Sequence, residues 1–201
     1  MSDRPSPEAI QILLQLQQDI RSCDQCDLRR RGGKPLVWSP VLDAKVLIVG
    51  ISPTVVAENI GEPWRGDIGR KLTSWLSSAS LDIRETYFTN AIKCAIRDHH
   101  GEFCFPLSGI LLPWVEKCRH WLLQEIGVIR PKVVVLLGVA PLYSVTRYDS
   151  VSRFQREKQG QLYCGVPCFA LHHPSSDTRV GVWEDSIPVR QAAYQLRSFL
   201  T

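Results

Sequence analysis

The chain lacks any apolar run approaching the roughly 20 residues that a membrane-spanning helix requires. Its opening, Met1-Ser2-Asp3-Arg4-Pro5, also lacks the basic-then-apolar pattern of an export signal. The expectation is a cytoplasmic protein, associated with the nucleoid if the source is bacterial, with no membrane partner. There is no internal repeat, no low-complexity stretch and no Pro/Gly/Ser-rich linker, so 201 residues are expected to form one domain, 1–201. A strong charge of either sign is missing too. The 24 Lys and Arg against 20 Asp and Glu leave a net +4, which is compatible with nucleic acid without arguing for it.

Cysteine, by contrast, is plentiful. Seven cysteines in a chain expected in a reducing compartment point to metal binding, catalysis or plain burial rather than to disulfides. Cys23-Asp24-Gln25-Cys26 is a C-x-x-C pair, whose two-residue spacing lets both sulfurs reach one metal centre.

Periodicity supplies the architecture. Ser6 to Ser22 reads as an amphipathic helix, with Ser6 as N-cap, Pro7 in the first turn and Ile10, Leu13, Leu14 and Ile20 at helical spacing. Four short, nearly all-apolar segments read as strands buried on both faces: Lys45–Gly50, Tyr87–Lys93, Lys132–Gly138 and Val166–Leu171. Helical segments alternate with them at Gly69–Ala79, Pro113–Ile129, Ala140–Tyr148 and Ile187–Leu200. Such alternation implies an α/β fold, a three-layer α/β/α sandwich around a central parallel four-stranded sheet. Arg97 to Gly109 is the least regular stretch, and Leu28 to Lys34 is a basic loop that either contacts phosphates or is simply solvated. In parallel sheets ligands bind beyond the carboxyl ends of the strands. Gly50-Ile51-Ser52-Pro53-Thr54, Asn90 and His172-His173-Pro174-Ser175 all fall at such ends.

Taken in order, CDQCDLRRR, KVLIVGISPT, GEPWRG, TNAIKC, the Cys118 helix, RPKVVVLLG and HHPSSDTR resemble the uracil-DNA glycosylase superfamily, specifically its iron–sulfur family 4 branch. The resemblance runs from Cys23 to about Leu200. It implies a DNA-repair enzyme that flips a deaminated base, foremost uracil, and hydrolyses its N-glycosidic bond. It also implies four cysteine ligands, Cys23, Cys26, Cys94 and Cys118, which by donor type suit a [4Fe–4S] cluster or a structural zinc; the resemblance favours the cluster. Cys104, Cys164 and Cys168 match no ligand position, and the last two are expected to be packed thiols.

The implied roles follow from the chemistry. A departing base leaves as an anion or nearly so, and a donor at its carbonyl oxygen stabilises that charge most in the transition state. His173, in His173-Pro174-Ser175, matches that donor. The carboxamide of Asn90 offers a donor and an acceptor side by side, suited to the O4 and N3 edge of uracil. Trp64 stands where relatives place a stacking Phe, a contact worth ~1–3 kcal/mol per base. Gly50, Ile51 and Pro53 would line the base site, and Ser175, Ser176 and Arg179 match the loop pressed into the duplex.

The first motif departs from the family. Family 4 usually reads G-E-A-P-G there, whereas this chain has Ile51 in place of the carboxylate and Ala57-Glu58 where an acidic pair stands. The mismatch-specific branch reads G-I-N-P-G, its third residue holding the attacking water, so Ser52 is the expected water-binding group. This departure supports a rival expectation, a non-catalytic or covalent damage-trapping DNA-binding protein. The expected partner in either case is damaged DNA, single- or double-stranded, engaged by a monomer.

Overall fold

The computed structural model describes residues 6–37, 41, 43–64, 67–102, 112–176, 183 and 186–200. The amino-terminal helix α1 (Pro7–Ser22) is capped by Ser6, whose hydroxyl accepts from the Ala9 amide at 3.2 Å. A one-turn helix α2 (Asp27–Arg30) follows the C-x-x-C pair. Then come β1 (Val46–Gly50), α3 (Val55–Ile60), α4 (Asp67–Ser78), β2 (Thr86–Asn90), α5 (Leu112–Ile129), β3 (Val133–Leu137), α6 (Val139–Thr146), α7 (Val151–Glu157), β4 (Leu162–Tyr163), β5 (Val166–Leu171) and α8 (Ile187–Leu200).

The sheet order is β2-β1-β3-β5-β4. The first four of these are parallel, as expected, while β4 is a two-residue antiparallel strand that adds a fifth at the edge. It escapes sequence reading because a turn at Cys164-Gly165 is all that separates it from β5, and two residues carry no periodicity. The short helices α2, α3 and α7 are missed for the same reason. They arise locally: Thr54 caps α3 by accepting from Ala57 N at 3.1 Å, and Ser150 caps α7 by accepting from Arg153 N at 3.3 Å.

Alternation along each strand sends side chains to opposite faces. Leu47, Val49, Tyr87, Val134, Leu136 and Ala170 pack on one side against Leu13, Leu16 and Ile20 of α1, Leu122 and Ile126 of α5 and Phe154 of α7. Val46, Ile48, Phe88, Val135, Leu137 and Phe169 pack on the other against Leu72, Trp75 and Leu76 of α4 and Val189 and Leu196 of α8. Both faces of the sheet are therefore covered, which is why its strands read as unbroken apolar runs. A third, smaller cluster joins Leu28 of α2, Ile92, Cys94 and Ile96 beyond β2, and Val115 and Cys118 of α5.

The basic loop is largely engaged with the protein itself. Arg31 pairs with Asp27, donates to the Arg97 carbonyl at 2.9 Å and lies over the Trp114 ring at 5.8 Å. Of the irregular stretch, residues 97–102 form a turn closed by Asp98 N to Glu102 O at 2.8 Å; 103–109 lie outside the described residues.

Trp75 joins the α4–α8 layer twice, by a buried ring and by its indole N–H, which donates to Val189 O at 3.1 Å. Trp75→Ala is expected to lower unfolding free energy by about 3–5 kcal/mol, read as a drop in the urea midpoint at unchanged slope.

Candidate active site

The strand order reverses direction at β1, whose neighbours β2 and β3 are reached by crossovers to opposite sides. The crevice for a ligand in such a sheet lies beyond the carboxyl ends at that switch. Gly50 and Ile51 leave β1 there, Asn90 ends β2, Gly138 follows β3, and His173 follows β5.

Register decides what faces what. Gly50 pairs with Asn90 across β1 and β2. The pairing continues past the strands, with Ala91 N donating to Gly50 O at 2.8 Å and Ile92 N to Ile51 O at 2.9 Å. A methyl group built on Gly50 would stand 2.5 Å from both Asn90 Oδ1 and the Trp64 ring. Only a residue without a side chain lets the carboxamide and the indole close over the end of β1. The Trp64 ring lies 6.3 Å, centroid to centroid, from the His173 ring and 6.0 Å from Phe88. A methyl on Gly138 would touch Ile51 Cδ1 at 3.4 Å and His173 Cβ at 3.5 Å. Trp64, Asn90, His173, Gly50 and Ile51, far apart in the sequence, thus meet at one end of the sheet. Pro53 is buried just beyond, with Ser52 partly exposed beside it.

Trp64 is held under strain. Its φ is 58°, unusual for a bulky side chain, and its indole Nε1 is buried with no hydrogen-bond partner among the described residues. Its main chain is seated on Gly69 of α4, where an added Cβ would stand 1.6 Å from the Trp64 carbonyl oxygen. Outliers of this kind cost ~1–3 kcal/mol each and concentrate where a site requires them.

The histidine is defined by its neighbours. The Ser175 amide donates to His173 Nδ1 at 3.2 Å, and Ser175 Oγ lies 2.7 Å from the same nitrogen. A nitrogen that accepts from a main-chain N–H carries no proton, so the ring proton sits on Nε2. Burial lowers the imidazole from 6.5 to about 4. His173 is therefore a neutral Nε2–H donor. Ser175, expected at DNA, has this second contact as well, and Lys71 of α4 steadies the same loop by donating to Pro174 O at 3.4 Å. The Ser176 side chain and Arg179 lie outside the described residues.

Three of the four expected ligand cysteines share one cluster. Cys94 and Cys118 are buried in the third cluster, Cys26 packs against it, and Cys23 stands at the end of α1. Burial first, then Cys118, Glu58, Cys26 and Cys23, push the Cys94 thiol well up. Burial likewise pushes Cys118 up to about 11, against the pull of nearby Lys93. Buried thiols of this kind ionise readily only when a metal replaces the proton. The donor set, soft sulfurs gathered at an apolar cluster, suits a thiolate-bound centre. Among the described residues, no three His, Cys, Asp or Glu side chains are spaced to share a single ion. Of the other thiols, Cys168 is buried as expected. Cys164 is instead exposed, at a turn with φ 53°. The chain turns back there to make β4, so the side chain is thrown outward. Cys104 lies outside the described residues.

Three polar residues of this region had no role assigned from the sequence. Glu58 is turned into the protein: with its side chain fully buried, it accepts from Lys34 N at 3.1 Å, from Arg97 Nη2 at 3.0 Å and from the Ala95 amide. It clamps α3 and the chain after α2 to the segment after β2. Lys93 and Glu125 form a buried ion pair. The available signal was a lysine inside the apolar stretch Ala91–Ile96, visible only as an oddity.

The fold is thus that of an α/β/α sandwich with an asparagine, an indole and a neutral histidine gathered at its switch point. The particular family follows from sequence comparison. Residues 38–183, more than half of the chain, match the family model described as Uracil DNA glycosylase superfamily, and the chain belongs to that superfamily. It is 29% identical over 168 residues to the Type-4 uracil-DNA glycosylase of Archaeoglobus fulgidus, covering 79% of each chain. To the Type-4 enzyme of Pyrobaculum aerophilum it is 27% identical over 127 residues, 63% of this chain and 61% of that one. To the Type-5 uracil-DNA glycosylase of the same organism it is 26% identical over 160 residues, 71% of this chain and 66% of that one.

The histidine's environment sets a pH dependence. Its folded value, about 4, lies below the ordinary 6.5, so the stability tied to neutral His173 is present above 6.5. It is lost as the pH falls toward 4, because unfolded chains take up a proton that folded ones refuse. An NMR titration should show a neutral, Nε2-protonated ring at pH 6. The decline in unfolding free energy between 6.5 and 4 should be shallower in His173→Gln.

Proposed function

We propose that this protein is a monofunctional DNA glycosylase that removes a deaminated base, uracil first, from DNA and leaves an abasic site. The observation that carries the reading is the meeting of Asn90, Trp64 and neutral His173 over the end of β1.

A base buried in duplex DNA cannot reach these groups, so it must be flipped out of the stack. Its ring would lie against the Trp64 indole, and its Watson–Crick edge would meet the Asn90 carboxamide, whose donor and acceptor complement O4 and N3–H. As the bond between N1 and the sugar C1′ breaks, its electron pair stays with the base and charge gathers on the O2 carbonyl oxygen. The Nε2–H of His173 is the donor for that oxygen. A neutral donor is well suited here, because it stabilises the anion without having to be protonated at pH 7, and its fixed tautomer costs no reorganisation. A water held by Ser52 would attack C1′, its oxygen forming the new bond and its proton passing to the departing base or to solvent. Ile51 offers no carboxylate, so the hydroxyl of Ser52 is the polar group of that motif.

Ser175, Ser176 and Arg179 are assigned to the DNA strand, where contacts set position rather than base choice. The protein is read as one domain acting as a monomer in the cytoplasm. Cys23, Cys26, Cys94 and Cys118 would hold a [4Fe–4S] cluster in preference to zinc. When bound, it supplies a covalent cross-link between the end of α1, the chain after β2 and α5.

Incubation with oligonucleotides carrying uracil, hypoxanthine, xanthine or mismatched thymine tests the reading. Free base and alkali-labile abasic product are expected from uracil strands. Intact strands, or a denaturant-stable adduct, would instead identify a binding or trapping protein. His173→Ala should lower kcat by about 10²–10³-fold, the usual loss for one oxyanion donor. The purified protein should be brown with visible absorbance, and Cys118→Ser should bleach it; a colourless protein holding zinc would remove the cluster assignment.

A further inference from the structure

Lys93 sits where the chain is otherwise apolar, between Ile92 and Cys94, and its side chain is only 3% exposed. Its ammonium donates to Glu125 Oε2 at 2.5 Å, Thr89 Oγ1 at 2.7 Å and the main-chain carbonyl of Asn90 at 2.8 Å. Three bonds account for all three ammonium protons. Glu125, 2% exposed, is held in turn: it accepts from Thr89 Oγ1 at 2.9 Å and from the Tyr87 hydroxyl at 3.2 Å. Thr89 and Tyr87 face the α5 layer, whereas Asn90, next along β2, faces the α4 layer and the candidate site.

A buried ion pair is a poor device for stability, since well-packed apolar residues of the same volume serve as well or better. What an apolar pair cannot do is grip a carbonyl. The Asn90 carbonyl belongs to the residue whose carboxamide reads the base, at the point where β2 ends and regular pairing gives out. On its other side Lys93 runs directly into Cys94, which shares the third cluster with Cys118, and Cys118 stands on α5, the helix that carries Glu125. One residue thus grips the end of β2 with its side chain and adjoins the cysteine cluster through its main chain.

We propose that Lys93, held by Glu125, is a positioning residue that couples the four-cysteine centre to the Asn90 carboxamide, so that the centre sets base recognition without touching DNA. The inference rests on the glycosylase reading above. It predicts that the pair governs affinity for the base more than affinity for the DNA strand.

The test compares wild type with Lys93→Met and with the double variant Lys93→Met/Glu125→Leu. The double variant leaves no unpaired buried charge and so keeps the fold if the single one fails to. Three quantities are read on the intact protein: inhibition by free uracil, affinity for abasic-site DNA, and the visible absorbance of the cysteine centre. In the double variant, uracil inhibition should weaken tenfold or more, while abasic-DNA affinity stays within about twofold and the absorbance is retained. Unchanged uracil inhibition would overturn the coupling. So would a parallel loss of all three, which marks a merely structural pair. A wild-type protein that neither releases uracil from DNA nor is inhibited by it overturns the glycosylase reading, and this inference with it, before any variant is compared.

Discussion

The site depends on one constraint, the parallel register that sets Gly50 opposite Asn90. With hydrogen at that position, the carboxamide of β2 and the indole of Trp64 share the space that a side chain would fill. A one-residue slip would turn Asn90 toward the α5 layer and Thr89 toward the site, because neighbouring strand residues point to opposite faces. The core protects register against such a slip: Ile48 and Phe88 belong to one layer, Leu47 and Tyr87 to the other, and moving by one residue would turn each to the wrong layer.

From that constraint the electrostatics follow. The site face is lined by neutral groups, a carboxamide, an indole and an imidazole kept uncharged by burial, while the charges near it are paired beneath it. Lys93 with Glu125, and Arg97 with Glu58, lie between the strand ends and the cysteine cluster. They hold the loops by bonds to main-chain atoms, Asn90 O in one case and the amides of Lys34 and Ala95 in the other. The protein thus uses its buried charge to fix backbone, and leaves neutral groups at the strand ends. At a site of that kind each fixed dipole acts at low dielectric, where it has the most effect.

Much of this was legible in the residues. Four apolar runs alternating with helical patterns revealed the parallel core, because strands covered on both faces cannot hide their composition. Placing motifs at strand ends put Gly50, Asn90 and His173 together, since the topology of such sheets leaves one crevice. The edge strand β4 and the helices α2, α3 and α7 were not legible, being too short for a period. The buried clamp made by Glu58 was not legible, and Cys164 was misplaced as a packed thiol. Both depend on which way a loop turns, a choice made by partners far away in the chain.

By itself, the order of residues determined the layers, the strands and the side chains that could carry chemistry, because hydrophobic period and residue type are local properties. Tertiary structure alone decided the tautomer of His173, the grip of Lys93 on Asn90 O and the seating of Trp64 on Gly69. These arise when groups distant in sequence are pressed together and cut off from water. Only then does a donor have one acceptor left to choose, a histidine lose its charge, and a missing methyl group become a place for another side chain.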